Sequence, residues 1–329
     1  MLVLSEKVIT GIFSNLSPSD VLHYQQILLK GLAEYESNNS LIPPRVVQAT
    51  EYGCTHLFMT SMGSRVGMKA ITGSKMGFNG ITTILDRETG SAKAVINGST
   101  LTAFRTALAN SLGLVKYYPI DKKYNNEMMI SFGVGDQSLW HIKLSLILYP
   151  GRFKSVICVN RTLKNGQIFC DKLKKEFPNT EFISTDKEGL KNINLETCGL
   201  IWTCIPIGEP TVTKDITDKC AQKLFIGAIG SYKPHMIEVS GEVLNEALKY
   251  GKILVDSKEH CLHEAGEFIQ NNIKEDSLIE LCEVYTEKLP VEGKLVVSKL
   301  VGLCIMDVWV GEECLNQAIK EGLGIDVDF

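Results

Sequence analysis

The sequence predicts an α/β protein in which a small α+β unit precedes a doubly wound parallel sheet. Three observations predict it. From about residue 127, short apolar runs (MMISFGV, SVICVN, EFIST, GLIWTC, KLFIGAI and KILVDS) alternate with helical or loop-length spacers, as parallel strands covered on both faces require. The first of these runs ends in Gly133-Val134-Gly135 and leads directly into helix-like sequence. Before residue 120 the rhythm is different, with four or five strand-length runs following one another closely.

In chain order, SPSDVLHYQQILLKGLAEYES has helical periodicity with Ser17 or Ser19 as N-cap. RVVQAT, THLFMTS, RVGMKAIT, ITTILD and AKAVIN read as strands, the last two joined by a hairpin around Glu88-Thr89-Gly90. STLTAFRTALANSLGLVKYY is a helix starting at Ser99 or Thr100. The polar stretch IDKKYNNE, residues 120–127, is the expected boundary. After the alternating runs, VSKLVGLCIMDVWVGEECLNQAIKEGLG reads as a final helix stopped by glycine.

The totals exclude several classes. A chain of 329 residues that is 44% hydrophobic can bury one large or two ordinary cores. A net charge of −4 with no basic block argues against nucleic acid and anionic membranes. Glu6 and Lys7 interrupt the N-terminus where a secretory leader needs apolar residues, and no window reaches the roughly 18 apolar residues of a membrane span. Ten cysteines without a CxxC pair suggest reduced, mostly buried thiols and a cytoplasmic protein, with no metal site.

Gly133 and Gly135 have G-x-G spacing, and Ser138 takes the third small position. The first glycine serves a tight turn, the second lets a pyrophosphate approach the backbone, and the third small residue lets helix pack on strand. The helix N-terminus then faces the phosphates. A strand before and a βαβ rhythm after favour a Rossmann dinucleotide site over an ordinary turn. Asp136 opens that helix, and its carboxylate must point away from phosphate.

The second strand selects the dinucleotide. A fold that prefers NAD ends this strand with an acid that binds the ribose 2′-hydroxyl. Here VICVNRTLK ends it, and no Asp or Glu lies between Gln137 and Cys170. Arg152, Lys154, Arg161 and Lys164 occupy the window instead. A carboxylate about 4 Å from a phosphate charge costs about 4 kcal/mol at an effective dielectric near 20, roughly a thousandfold in affinity. Its absence, with Asn160, Arg161 and Thr162 in its place, favours NADP(H) over NAD(H). A solvated Arg161 is the alternative. The expected nucleotide contacts in this half of the chain are Gly133, Gly135, Asp136, Gln137, Asn160, Arg161, Thr162, Thr203 and Ile229.

Several segments, taken together, are similar to one family. IPPR (42–45), GMK (67–69), NGSTLTAFRTALANSLG (97–113), GVGDQSLWH (133–141), VNRT (159–162), GAIGSYKPHMIEV (227–239) and VDSKEHCLHEAGE (255–267) resemble, in order and spacing, the ornithine cyclodeaminase and mu-crystallin family. The resemblance implies a substrate and dimerisation domain built from both chain ends, with a Rossmann domain inserted: 1–120, 121–300, and 301–329 as a C-terminal helix returning to the first. It implies a homodimer paired through the first domain's sheet. It also implies hydride exchange between nicotinamide and a carbon–nitrogen bond beside a carboxylate, as in ketimine reduction, amino-acid dehydrogenation or ornithine cyclisation. Arg45, Lys69 and Arg105 match the family's substrate contacts, and Thr106 a position near the cofactor phosphates. The chemistry is apt without the family: a guanidinium fork and an ammonium hold a carboxylate in a fixed orientation. Without it, Arg45 reads as a loop charge and Arg105 as a helix-face charge. Lys69, inside VGMKAI, is harder to place on a surface.

Three positions depart from the family. Tyr232, flanked by Ser231 and Lys233, stands where cyclodeaminases carry an Asp that engages the distal amine. A phenol cannot replace that acid at neutral pH. Ornithine cyclisation is therefore disfavoured and reduction of a small α-imino acid, or oxidation of an α-amino acid, is favoured. Tyr232 remains a substrate contact or a loop residue. Asn97 replaces an Asp before the TAFRTA helix. Leu300 replaces a Ser near the cofactor, which leaves a non-catalytic binder of NADPH and a small ligand as a further alternative. His260, His263, Glu264 and Glu267 share a helix face without HExxH spacing and read as solvated. Asp256 ends a strand, either near ligand or as a helix cap, and His141, one turn into the dinucleotide helix, is expected to pack against the first domain and not to touch ligand.

Overall fold

The computed structural model describes residues 1–74, 77–125 and 127–329. Its strands are β1 (Leu2–Leu4), β2 (Val46–Ala49), β3 (Thr55–Met62), β4 (Val66–Ser74), β5 (Gly77–Leu85), β6 (Ala92–Asn97), β7 (Met128–Phe132), β8 (Ser155–Val159), β9 (Glu181–Thr185), β10 (Cys198–Thr203), β11 (Leu224–Ala228), β12 (Ile253–Val255), β13 (Leu278–Glu280), β14 (Leu295–Lys299) and β15 (Ile325–Asp326). Its longer helices include α1 (Glu6–Ser14), α2 (Pro18–Ser37), α3 (Gly98–Tyr117), α4 (Asp136–Leu148), α5 (Leu163–Glu176) and the C-terminal helix Cys304–Glu321.

The chain forms two compact units, Met1–Leu108 with Gly302–Phe329, and Ala109–Val301. The division falls inside α3. The polar stretch 120–127, where sequence places a boundary, lies beyond it in the second unit, and Asn126 is outside the described residues. That stretch marks a change of strand rhythm, whereas a single long helix crosses between cores without any change of composition.

The first unit is a seven-stranded mixed sheet, β15-β1-β6-β5-β4-β3-β2. Its N-terminus is structural: β1 pairs parallel with β6 and antiparallel with β15. The C-terminal helix packs on the inner face, where Val308 lies against Gly67, and Gly311 lies near Ile84 and Ile96. This helix ends at Gly322, whose left-handed φ of 65° suits glycine. Ser17 caps α2 in a capping box with Asp20. At α3, however, the cap is Asn97, whose Oδ1 accepts from the Ser99 and Thr100 amides. Ser99 and Thr100 are inside the helix, because an amide oxygen one residue before the first turn reaches both free N–H groups.

The second unit is an eight-stranded sheet, β13-β12-β14-β11-β10-β7-β8-β9, and all of its pairings are parallel. Strands β7, β8, β10 and β11 are almost wholly buried, which their apolar runs require. The chain goes outward from β7 to β9, then returns to place β10 beside β7. That reversal is the topological switch point at which open α/β sheets bind ligands. VSK, read from sequence as the start of the last helix, belongs instead to β14, and the helix begins at Cys304. The β-branched run LVVSK prefers the sheet. Among the described residues no helix is long and apolar enough to cross a membrane.

Candidate active site in two parts

In the first unit, β4 alternates so that Gly67 and Lys69 face the core while Met68 faces out. Lys69 is 2% exposed, and its Nζ donates to Asp307 Oδ1 at 2.8 Å and to Thr102 Oγ1 at 2.7 Å. Arg105 lies on the buried face of α3, with Nε 3.2 Å from Asp307 Oδ2 and Nη1 3.4 Å from the Met306 sulfur. One buried carboxylate therefore serves two buried cations. Arg45 donates from Nη2 to the Gly302 carbonyl at 2.8 Å. Gly302 has φ 88°, and a Cβ there would lie 2.9 Å from Arg105 Nη1. The segment from Gly302 to Asp307 thus gathers all three cations that the sequence singles out. Arg105 is not a helix-face charge.

Asp307 was missed by sequence reasoning. Its signal is a lone acid inside the apolar run CIMDVWV, which only a buried partner makes tolerable. Burial lowers the Lys69 pKa to about 8; the Asp307 charge opposes this and Arg105 adds to it. Lys69 is therefore charged below about pH 8 and loses its proton above it. Thr106, on the same helix, donates its hydroxyl to the Thr102 carbonyl at 2.7 Å.

In the second unit, Gly133 follows β7 at the switch point with φ 102°. A Cβ there would meet Ile205 at 2.9 Å and Ser138 at 3.1 Å, so both backbone and packing demand glycine. Gly135 caps α4 with φ −95° and no side-chain cap bond, and a Cβ at this position would have no neighbour within 4 Å. Nothing in the chain requires glycine here, while a phosphate group approaching the α4 amides would. The residues present therefore fit a dinucleotide pyrophosphate. Asp136 is exposed, Gln137 is half-buried, and Ser138 is buried beneath the turn.

At the end of β8, Asn160 Nδ2 donates to the Thr162 carbonyl at 2.9 Å, shaping the turn into α5, which Thr162 precedes as N-cap residue. Arg161 and Thr162 are exposed, and Arg161 makes no ion pair among the described residues. Two other cations of the sequence window are at the wrong end. Arg152 and Lys154 precede β8, and Arg152 lies over the rings of Tyr118, Tyr124, Tyr149 and Phe153. Position in sequence alone does not distinguish the two ends of a strand.

Thr203 ends β10 and donates to Glu238 Oε1 at 2.8 Å; the Ile229 amide donates to the Thr203 carbonyl at 3.1 Å. Tyr232 is half-buried, and desolvation raises its pKa, which makes a phenolate base still less available. Beneath this loop is a cluster that sequence reasoning missed. Lys299 Nζ lies 3.5 Å from Glu238, 3.6 Å from Glu267 and 2.6 Å from Ser231 Oγ, and Ser231 in turn donates to Glu267. Burial alone would lower the Lys299 pKa, but Glu267 and Glu238 hold it above the usual value. Burial pushes Glu238 up to about 7, against the pull of Lys299 and its hydrogen-bond donors.

Glu267 is thus buried and not part of a solvated helix face. The helix that carries EHCLHE stops at Glu264, and Gly266 starts another that turns Glu267 inward. His263 bonds the Glu259 carbonyl, and His260 bonds Ser257, which caps the first of these helices. Asp256 is not that cap; it accepts from the Ser257 and Val301 amides and so ties down the chain after β14. His141 is buried between Asn110 Nδ2 (2.9 Å) and the Gln137 carbonyl (2.7 Å), and burial lowers its pKa to about 4. Among the described residues no three His, Cys, Asp or Glu side chains are grouped as metal ligands.

A parallel sheet with an open glycine turn at its switch point defines a dinucleotide-binding fold. Residues 25–320 match the ornithine cyclodeaminase/mu-crystallin family, and the chain belongs to that family. Among its relatives, the uncharacterized protein YGL159W of Saccharomyces cerevisiae is 27% identical over 97% of each chain. Delta(1)-pyrroline-2-carboxylate reductase of Bacillus cereus is 26% identical, covering 89% of this chain and 86% of that one. The solved structure of Thermococcus litoralis Delta(1)-pyrroline-2-carboxylate reductase with NADH and L-proline superposes with a TM-score of 0.81 at 20% identity, over 99% of this chain and 100% of that one. Family members thus include oxidoreductases that act on imine carbon–nitrogen bonds.

Proposed function

We propose that the protein is an NADPH-dependent reductase of a small α-imino acid, such as a cyclic ketimine carboxylate, and that the reverse reaction oxidises an α-amino acid. The observation that carries this reading is the convergence of Arg45, Lys69 and Arg105 on the Gly302–Asp307 segment. A bound nicotinamide supplies the hydride. The chain's own residues hold the acid. Lys69 uses two of its three protons on Thr102 and Asp307. Arg105 spends one N–H on a thioether, a weak acceptor that a carboxylate readily displaces. Asp307 fixes Lys69 in direction through a charge-assisted hydrogen bond and holds Arg105 beside it by charge at 3.2 Å, so the two cations present a defined seat to a carboxylate.

The direct test is loss of NADPH absorbance with piperideine-2-carboxylate. Release of ammonia from ornithine would instead favour a cyclodeaminase, despite Tyr232. Thermal stabilisation by NADPH without turnover of any imine would favour a binding protein.

The pH dependence follows from Lys69. Inhibition by a carboxylic acid such as proline is expected to be strongest below about pH 8 and to weaken above it, as the ammonium is lost. A flat profile from pH 7 to 9.5 would remove Lys69 from the anion site.

Cofactor choice and cradle are tested together. Gly135→Val meets no protein atom within 4 Å of its Cβ, so it is expected to leave thermal stability unchanged while weakening NADPH and NADH alike. Arg161→Ala is expected to weaken NADPH by about tenfold to a hundredfold, the worth of one charge-assisted contact, and to spare NADH. Equal losses for both dinucleotides in Arg161→Ala would refute the 2′-phosphate role.

The same reading makes the protein a homodimer. It is supported by an outward-facing cross-strand row on the first sheet, where Val46 opposes Phe58, Phe58 opposes Ala70 and Ala70 opposes Ile81. Such a row on a monomer would be an unusual apolar patch. Sedimentation is expected to give a dimer, and Phe58→Glu a monomer; a monomeric parent protein would contradict this.

A further inference from the structure

Glu238 is fully buried, and each polar contact it makes is with a donor. Oε2 accepts from the Gly230 amide at 2.6 Å and the Ser231 amide at 3.0 Å, with Lys299 Nζ at 3.5 Å. Oε1 accepts from the Thr203 hydroxyl at 2.8 Å and the Ile205 amide at 3.1 Å. Gly230 and Ser231 follow β11, and Ile205 follows β10. One carboxylate thus pins two loops at the carboxyl edge of the sheet, beside the switch point. The approach is close: a Cβ on Gly230 would come within 2.5 Å of Glu238 Oε1.

Glu267 is as buried and faces the same lysine, yet it is bonded differently. It takes the Ser231 hydroxyl and lies 3.6 Å from Lys299. The pair therefore provides an internal comparison between a carboxylate that fixes backbone and one that does not.

We propose that Glu238 is a positioning residue for the reaction, holding the two loops that carry Thr203, Ile229 and Tyr232 without itself touching cofactor or substrate. This rests on the reading of Thr203 and Ile229 as nucleotide contacts and of Tyr232 as a substrate contact. A side-chain amide cannot replace the carboxylate. Whichever way the amide of Glu238→Gln is turned, its NH2 meets a backbone N–H. In Glu267→Gln the amide oxygen still takes the Ser231 hydroxyl, and two acids sharing one lysine become a single matched pair.

The experiment compares these two variants in the full chain by kcat and KM for a cyclic ketimine at saturating NADPH, thermal unfolding, and hydrogen exchange of the Gly230 and Ser231 amides. Glu238→Gln is expected to lower kcat by about tenfold or more with KM little changed, as a small misplacement of reacting groups does, and to speed exchange at both amides. Glu267→Gln is expected to retain both kcat and protection. Equal losses of kcat in the two variants, or an unchanged kcat in Glu238→Gln, would overturn the proposal. If Glu238→Gln does not fold, Glu238→Asp keeps the charge but withdraws it by one methylene, and the same kcat loss is expected; an unchanged kcat overturns it. Should the parent protein reduce no imine, the functional reading fails on its own. The contrast in amide exchange and in NADPH affinity then decides this inference, and two variants alike in both would overturn it.

Discussion

Replacing Asp307 with asparagine is expected to destabilise the first unit by about 3–5 kcal/mol, the usual cost of removing one partner from a buried ion pair. Asp307 is fully buried, and its two oxygens face Lys69 at 2.8 Å and Arg105 at 3.2 Å. Asparagine keeps the shape but leaves two buried cations without a counter-charge. A second consequence separates this from generic loss of packing. The Asp307 charge raises the Lys69 pKa, and without it the value falls below about 8. The pH at which a carboxylic acid inhibitor loses affinity is therefore expected to move downward in the variant. Urea unfolding with inhibitor titrations from pH 6 to 9 measures both. A stability loss under 1 kcal/mol, with an unmoved pH profile, would show that the three groups do not act as one unit.

Replacing Lys299 with methionine is expected to have a comparable effect on the second unit, about 3–5 kcal/mol near pH 8. The variant leaves Glu238 and Glu267 buried without their cation. The sign of its pH dependence follows from Glu238, whose folded pKa is already about 7 against an ordinary 4.5. A raised carboxyl pKa means that the folded state binds the proton more tightly. Its contribution is fully present below about 4.5 and is lost as pH rises through 7. Without Lys299 the folded value climbs further, so the deficit is expected to shrink toward pH 5 and grow toward pH 8. A deficit independent of pH would point to lost packing of the lysine stem instead.

The elements that sequence shows best are those whose side-chain period is clean. The apolar runs of the parallel strands and the alternation of β3 to β6 announce themselves locally, and so does the glycine turn after β7. The short strands β1 and β15 do not. Each is two or three residues long, and their pairing joins opposite ends of the chain. The cations of the candidate site were legible because each carried a familiar neighbourhood, IPPR, GMK or TAFRTA. Their counter-ion was not, since Asp307 lies 238 residues from Lys69 in the chain. The Lys299 cluster was hidden for the same reason, although a lone lysine in LVVSKLVG and a lone acid in CIMDVWV share one signal. A charge inside an apolar run implies a buried partner, and sequence does not say where that partner is. The misplaced cations Arg152 and Lys154 show the converse limit, since nearness to a strand does not say which end of it a residue occupies.

The most direct test compares a cyclic ketimine carboxylate with the same ring lacking the carboxylate, as kcat/KM with NADPH and the unaltered protein. Holding the acid through charge-assisted contacts worth about 4 kcal/mol in total predicts a preference for the carboxylate of roughly a thousandfold. Equal rates for the two imines would contradict the account, for Arg45, Lys69 and Arg105 would then have no anion to hold.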